Sequence, residues 1–341
     1  MKIYAYPADE FGCGKYRMWW PSEALIDQGV DIVLATPGSQ TGIRGLKRDG
    51  KLREVWYPED ADIIVLQRPS QIWLSQAVPM MRAKGVTVVV EMDDDLGNVH
   101  PANPAFRLMH PKQYPNANWQ HVAFACREAS MVICSTEALV PRYASHGRYR
   151  VIPNCVPERF LKIERHDSDQ IGWAGALHSH PDDPRALGPS LSRIRRELRV
   201  IGPEDPGLNR AFGCETNPTG VVPFDEWPNR VAELGIGLAP LMDTQFNKCK
   251  SWLKPLEYAA VGVPWVGSDA PEYLALYNRG CGMIATKPKE WERKVGHLVR
   301  SPEARQELSE AGRMVAAELT IEANAWRWLE AWTEAHEQDH S

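Results

Sequence analysis

The chain has 341 residues, 43% of them apolar, and a formal net charge of −5. This length accommodates two domains with separate hydrophobic cores, and the negative charge disfavours a protein that coats nucleic acid, because such binding depends on Lys and Arg contacts to phosphates. The sequence has no apolar run of about 18 residues and no secretion signal at its start, so we expect a cytoplasmic protein without integral membrane contact.

Short apolar runs alternate with helical patterns along residues 1–165, which is typical of a parallel sheet flanked by helices. Strands are predicted at residues 3–5, 31–35, 62–67, 86–92, 131–135 and 149–152. Helices are predicted at residues 17–28, 75–84, 119–129 and 136–145. Gly29 and Gly85 are suited to end the first two helices. Residues 1–165 are therefore predicted to form one Rossmann-like α/β domain.

A polar stretch at residues 162–170 predicts a linker, after which a second series of strands begins. These strands are predicted at residues 171–175, 198–201, 235–239 and 263–267. They indicate a second Rossmann-like domain over residues 166–319. Thr320 is a candidate N-cap for a last helix at 321–337, in which Trp326, Leu329 and Trp332 recur at helical spacing. We expect residues 320–341 to return to the first domain.

Several short segments follow one another in a specific order. In the first domain they are D-E-F-G-C-G at residues 9–14, A-D-I-I-V-L-Q-R-P at 61–69, E-M-D-D-D-L at 91–96, C-S-T-E-A-L at 134–139 and V-I-P-N at 151–154. In the second they are I-G-W-A-G at 171–175 and L-E-Y-A-A-V-G-V-P at 256–264. The chain thereby resembles the GT-B glycosyltransferases, especially family GT4 and its phage and bacterial relatives. The resemblance implies two Rossmann-like domains facing a cleft and a nucleotide-sugar donor, such as a UDP- or GDP-sugar.

The segment from Lys250 to Glu257 is the candidate donor site. Lys250, Lys254 and Glu257 are spaced so that they lie on one face if a helix runs through them, and Pro255 is tolerated only near a helix start. Lys250 and Lys254, with backbone N–H groups around Ser251, would then face a diphosphate. The resemblance implies that Glu257 accepts the ribose hydroxyls. A capped, charged helix start without a ligand is the alternative.

The chain departs from the retaining members of the resembled group at two points. Those members have two glutamates separated by seven residues, and Cys249 stands where the first is expected. They also have an Arg and Lys pair after the first strand of the second domain, where this chain has L-H-S-H at 177–180. Gly175, before that segment, is expected at the donor, and His178 or His180 is a candidate donor of a proton to the departing phosphate. Retaining transfer is favoured slightly over inversion.

Further candidates lie on loops of the first domain. Gly12 and Gly14 fit a loop where backbone approaches a ligand, and Arg17 is a candidate phosphate or acceptor contact. Asp93 and Asp94 follow a strongly predicted strand. They suit a general base for the acceptor hydroxyl, a metal site of the kind found in single-domain GT-A enzymes, or a solvated acidic turn.

Taken together, these features predict metal-independent glycosyl transfer with no cofactor besides the donor. The seven cysteines are scattered and contain no C-x-x-C pair, so no metal site is expected from them. The alternatives are an epimerase or hydrolase of sugar nucleotides and a catalytically silent binding protein. The acceptor stays open between a glycan or lipid, a protein side chain and a modified DNA base, for which the basic stretches at 44–53 and 193–199 would be the first candidates. The sequence indicates no oligomeric state.

Overall fold

The structure is a computed structural model that describes residues 1–35, 42–165 and 167–341. The chain divides into two compact units. Unit 1 comprises Met1–Pro101, Ala105–Asn154 and Ile321–Ser341, and unit 2 comprises Ala102–Pro104 and Cys155–Thr320. In the part of the chain that the structure describes, no helix is long and apolar enough to cross a membrane.

Unit 1 is built on a six-stranded parallel sheet in the order β2-β1-β5-β6-β7-β8. The first 154 residues contain the strands β1 (Ile3–Tyr6), β2 (Ile32–Leu34), β3 (Arg44–Arg48), β4 (Lys51–Trp56), β5 (Ile63–Gln67), β6 (Thr87–Met92), β7 (Met131–Cys134) and β8 (Tyr149–Val151). All six strands predicted for the sheet are confirmed. Strands β5 and β6 are buried along their whole length, as expected for central strands of a sheet covered on both faces.

Strands β3 and β4 were not predicted. They form an antiparallel hairpin that carries the basic stretch 44–53 and is largely exposed.

The helices of this region differ from the prediction mainly in their bounds. They are α1 (Gly12–Gly14), α2 (Trp20–Asp27), α3 (Ile72–Arg82), α4 (Pro104–Met109), α5 (Trp119–Glu128) and α6 (Val140–Tyr143). A π-helical turn, Lys15–Trp19, joins α1 to α2, so the helix predicted from residue 17 begins earlier. The helix predicted at 136–145 is divided into a 3₁₀ turn, Glu137–Leu139, and α6.

Unit 2 repeats the architecture with the order β11-β10-β9-β12-β13-β14, again all parallel. Its strands are β9 (Ile171–Ala174), β10 (Leu198–Ile201), β11 (Thr216–Pro218), β12 (Ile236–Ala239), β13 (Trp265–Ser268) and β14 (Met283–Ala285). Its helices are α7 (Ser190–Ile194), α8 (Leu208–Phe212), α9 (Trp227–Ala232), α10 (Gln245–Lys248), α11 (Leu253–Ala260), α12 (Pro271–Tyr277), α13 (Pro288–Arg300) and α14 (Pro302–Glu318). Numbered within each sheet, the strand order is 3-2-1-4-5-6 in unit 2, as in the Rossmann fold, and 2-1-3-4-5-6 in unit 1. Both are doubly wound parallel sheets, which confirms the predicted Rossmann-like fold class.

The C-terminal segment Ile321–Ser341 belongs to unit 1. It forms α15 (Ile321–Asn324) and α16 (Trp326–His340) rather than one continuous helix. Trp328 and Trp332 of α16 are fully buried in the same apolar cluster as Ile3, Val65 and Val89 of the sheet. Trp326, which was expected on the buried face, is 52% exposed.

Candidate functional site

The predicted donor segment of unit 2 contains a helix start at Leu253, the first residue of α11. Pro255 lies in the first turn, where its missing N–H costs no hydrogen bond. Lys250 lies before this helix, between α10 and α11. The expectation that Lys250, Lys254 and Glu257 share one helical face is therefore wrong for Lys250, because the chain is not helical there.

Lys254 is the most unusual cation of this segment. Its Nζ donates a hydrogen bond to the carbonyl of Ala174, at the end of β9, and lies 4.6 Å from the centroid of the Trp173 ring. Burial lowers the pKa of Lys254 to about 8, with a smaller opposing effect of nearby Asp183 and Glu257. The site thus holds a cation whose charge is only weakly compensated.

Gly175 directly follows Ala174, the last residue of β9, and has a φ of +152°, which residues with an L side chain rarely adopt. A Cβ atom at this position would lie 2.9 Å from Lys254 Nζ and 3.0 Å from the Trp173 ring. Gly175 therefore leaves room for the Lys254 ammonium group at the carboxyl end of β9, which is the edge where ligands of such sheets bind.

Glu257 lies one turn after Lys254 on α11 and is 8% exposed. Its Oε1 accepts a hydrogen bond of 3.2 Å from Trp227 Nε1, which comes from α9. Trp227 was not identified from the sequence, because its contact joins residues 30 positions apart and leaves no local pattern.

The two histidines of the segment at 177–180 differ in their surroundings. His178 is exposed on a short 3₁₀ turn, Leu177–Ser179. His180 is partly buried, and its Nδ1 lies 2.8 Å from Asp183 Oδ2. Burial and the positive charge of Lys254 lower the pKa of His180 to about 4 although Asp183 opposes the shift. At neutral pH His180 is therefore an uncharged imidazole beside Lys254.

Asp183 is itself held firmly. Its Oδ1 accepts hydrogen bonds from Asn247 Nδ2 at 2.6 Å and from the backbone N–H of Met242 at 3.2 Å. Sequence reasoning missed Asp183, although its spacing of three residues from His180 is a local signal for a His and carboxylate pair.

The remaining residues of the donor segment lie between α10 and α11. Lys250 Nζ lies 4.6 Å from the centroid of the Phe246 ring, and Ser251 Oγ accepts a hydrogen bond of 3.4 Å from the N–H of Leu253. Cys249, which stands where a glutamate was expected, is fully buried. Two lysines, a neutral histidine and a helix start thus form a site suited to an anionic group such as a diphosphate.

Unit 1 has a second cluster, at the carboxyl ends of β5 and β6. Arg68 Nε donates to Asp93 Oδ1, and Arg68 Nη2 donates to Asp94 Oδ2 at 2.9 Å. Cys13 Sγ and one oxygen of each carboxylate lie within 4.8 Å of one another, a geometry that would also suit a metal ion. Arg68 already supplies a positive charge to both carboxylates. Arg68 has a φ of +47°, a backbone strain that is common at functional sites.

The glycine-rich loop before this cluster is organised by Asp9. Asp9 Oδ1 accepts hydrogen bonds from the backbone N–H groups of Phe11 and Gly14 at 2.9 and 3.0 Å. A Cβ atom at Gly14 would lie 1.9 Å from the Asp9 carbonyl oxygen, so only glycine fits there. Gly12 has open space around its Cα.

Arg17 lies in the core of unit 1. It is fully buried, and its guanidinium group donates to Glu91, to the Ile152 carbonyl at 2.6 Å and to Asn154 at 2.9 Å. Burial raises the pKa of Glu91 to about 8, against the effect of Arg17. The expected contact of Arg17 with a phosphate or an acceptor does not agree with this position, because the guanidinium group is buried and already binds Glu91, Ile152 and Asn154.

Comparison with known proteins adds to this geometry. Residues 186–330, less than half of the chain, match the sequence model of a family described as glycosyl transferase-like. No curated protein sequence matches the chain.

Solved structures match over almost the whole chain. Sucrose-phosphate synthase from Thermosynechococcus elongatus has a TM-score of 0.68 at 13% identity, with 99% of this chain and 100% of that chain covered. A glycosyltransferase from Rickettsia africae has a TM-score of 0.66 at 11% identity, with 98% of each chain covered. HepE from Anabaena in complex with UDP-glucose has a TM-score of 0.63 at 12% identity, with 98% of this chain and 100% of that chain covered. The chain thus has the GT-B fold of glycosyltransferases, and its residues 186–330 carry the match to the glycosyl transferase-like family.

Proposed function

We propose that the protein is a glycosyltransferase that binds a nucleotide sugar through unit 2. Lys254 is the observation that carries this proposal. The charge of a lysine that is buried at the start of a helix is disfavoured twice, by desolvation and by the positive end of the helix dipole. A bound anion would compensate for both. Lys254, Lys250 and the N-terminus of α11 are therefore proposed to hold the diphosphate.

Glu257, one turn further along α11, is proposed to accept hydrogen bonds from the ribose hydroxyls. Trp227 Nε1, which donates to Glu257 Oε1, is proposed to hold the carboxylate in place. HepE has been solved with UDP and with UDP-glucose, which supports a UDP-sugar as the donor of this chain. The backbone N–H groups around Ser251 are proposed to face the same diphosphate, and the absence of a side chain at Gly175 leaves space for it beside Lys254.

The departing diphosphate gains negative charge as the glycosidic bond breaks. Lys250 and Lys254 are proposed to stabilise that charge without a metal ion. At neutral pH His180 carries one proton, which Asp183 orients through Nδ1, so its Nε2 is an acceptor and His180 does not serve as an acid in this state. The acceptor is proposed to bind at unit 1, where Asp93 or Asp94 accepts the proton of its hydroxyl group.

Isothermal titration with UDP, UDP-glucose and GDP tests this function. We expect UDP to bind, and we expect Glu257→Ala to weaken binding more than Asp94→Ala does, since only Glu257 is assigned to the donor. Slow release of glucose from UDP-glucose would separate an enzyme from a silent binding protein. If none of the nucleotides binds, the proposal is wrong.

The stereochemistry of transfer is a separate test. We propose that transfer retains the anomeric configuration. Cys249, which replaces the expected glutamate, would then have no part in holding the donor. Proton NMR of the first product formed from UDP-glucose shows whether its anomeric configuration is α or β. A β product from this α donor would exclude retention.

A further inference from the structure

A second concentration of positive charge lies on α13, at the β14 edge of the sheet of unit 2. Arg293, His297 and Arg300 are spaced by four and three residues along the helix and so share one face. Together with Lys294 they line a surface pocket of about 500 Å³. Its remaining wall consists of Tyr277, Met283 and Ile284.

The charges of the two arginines are poorly compensated. Among the described residues, neither Arg293 nor Arg300 forms an ion pair, and His297 forms none either. Glu292 directly precedes Arg293 on the helix, but its carboxylate pairs with Arg193 at 3.1 Å. Glu290 lies three residues before Arg293, and its Oε2 accepts two hydrogen bonds from Thr286, at 2.9 and 3.0 Å. These two bonds are the main reason that the pKa of Glu290 is lowered, and Lys294 and Arg293 contribute less.

A stabilising role in the helix explains only part of this arrangement. Basic side chains in the last turn are favoured by the negative end of the helix dipole, which accounts for the positions of His297 and Arg300. It does not account for Arg293, two turns from the helix end, or for the hollow that all of them face. The opposite side of α13 packs into the core through Trp291, Val295 and Leu298, so the helix is fixed and the cations are held at the pocket.

We propose that this pocket binds a phosphate group, with Arg293, His297 and Arg300 as its contacts and with Tyr277, Met283 and Ile284 against the apolar part of the same ligand. The guanidinium geometry of two arginines suits the oxygens of a phosphate. Lys294 is directed elsewhere, because its Nζ donates to the Ile284 carbonyl. The ligand is a soluble phosphate compound or the headgroup of an anionic lipid, and the site is independent of the donor site at Lys254.

The test uses the full chain with two probes, inorganic pyrophosphate and vesicles of phosphatidylcholine with or without phosphatidic acid. The variant Arg293→Gln/Arg300→Gln removes two charges at the pocket. Arg107→Gln/Arg127→Gln removes two charges from exposed positions of unit 1 and controls for net charge. Lys254→Met controls for pyrophosphate at the donor site.

We expect the pocket variant to weaken binding of at least one probe about tenfold, as the loss of two partly exposed charge contacts implies. Neither Arg107→Gln/Arg127→Gln nor Lys254→Met should produce that loss. Pocket-dependent binding of pyrophosphate indicates a soluble ligand, and binding of acidic vesicles alone indicates a lipid headgroup. Equal weakening in the two double variants, loss of binding through Lys254→Met alone, or no binding of either probe overturns the proposal.

Discussion

Lys254 and His180 show how one cluster produces two opposite kinds of group at neutral pH. Burial disfavours the charged form of each, and the positive charge of Lys254 further disfavours protonation of His180. His180 consequently stays neutral, whereas Lys254 titrates near pH 8. An anion bound here would favour the protonated lysine, so that binding of a diphosphate and protonation of Lys254 are coupled.

This coupling predicts a pH dependence for UDP binding. Below about pH 8 Lys254 is already protonated, and the affinity should be insensitive to its titration. Above that value a proton must be taken up on binding, and the dissociation constant should rise toward about tenfold per pH unit. Titration calorimetry between pH 7 and 9, in buffers with different ionisation enthalpies, measures both effects. Lys254→Met should bind UDP weakly and without this proton uptake, and an unchanged uptake would contradict the assignment.

In unit 1, Arg68 is the cation at the candidate site, as Lys254 is in unit 2. It fixes the positions of Asp93 and Asp94 through one donor to each carboxylate. A strained backbone at Arg68 is difficult to explain by stability, because a residue before a proline normally prefers extended conformations. Positioning of the two carboxylates for the proposed acceptor hydroxyl would account for it.

We expect Arg68→Met to lower the turnover of UDP-glucose at least about tenfold, because the loss of a paired buried charge costs more than about 1.4 kcal/mol. UDP affinity should be unchanged, since the donor contacts lie in unit 2. Arg68→Lys should restore only part of the activity, because an ammonium group keeps the charge but cannot reproduce the two donors that the guanidinium group directs at Asp93 and Asp94. A purely structural role would instead lower the melting temperature of both variants and leave the turnover of the folded protein unchanged.

At the scale of elements, the proposed donor site depends on the turn from β9 into the residues that follow. Gly175→Ala should weaken UDP binding, because the new methyl group requires an unfavourable φ and approaches Lys254 Nζ. Gly220→Ala is the matched control, since Gly220 also has a positive φ, of +82°, but has no atom within 4 Å of the new Cβ. Gly175→Ala should also lose more stability on heating than Gly220→Ala, because its Cβ would lie 3.0 Å from the Trp173 ring, and only Gly175→Ala should change the dissociation constant for UDP.

Most strands of the two sheets were predictable because buried parallel strands are short, apolar and β-branched, as in β6. The edge strands β11 and β14 of unit 2, of three residues each, were not predicted. The helix start that carries Lys254 and Glu257 was predictable from the local pattern around Pro255. The contacts of Arg68 with the Asp pair and of Trp227 with Glu257 join distant positions, and a single sequence carries no signal for them. The β3 and β4 hairpin was missed because its exposed basic residues lack the apolar alternation of a half-buried strand.

At the scale of the whole molecule, unit 1 is discontinuous in sequence. Its core is completed by α16, whose buried face contacts β6 and β7. Trp328 is central to that face, and the Arg17 guanidinium carbon lies 5.0 Å from its ring centroid. Removal of residues 321–341 would therefore expose an apolar face of the sheet and leave Arg17 without one of its contacts.

Trp328→Ala tests this dependence. Removal of a buried tryptophan side chain should lower the free energy of unfolding of unit 1 by about 3–5 kcal/mol. Since the two units need not unfold together, hydrogen exchange followed by mass spectrometry is the suitable measurement, with peptides from β5 and β6 for unit 1 and from β9 and β12 for unit 2. Trp326→Ala is the matched control on the same helix, and as a half-exposed residue it should change stability by less than about 0.5 kcal/mol. Protection should fall in the unit 1 peptides of Trp328→Ala alone, because every core contact of this tryptophan lies in unit 1. A loss of the same size in Trp326→Ala would show that the helix as a whole, rather than its buried face, determines the stability of unit 1.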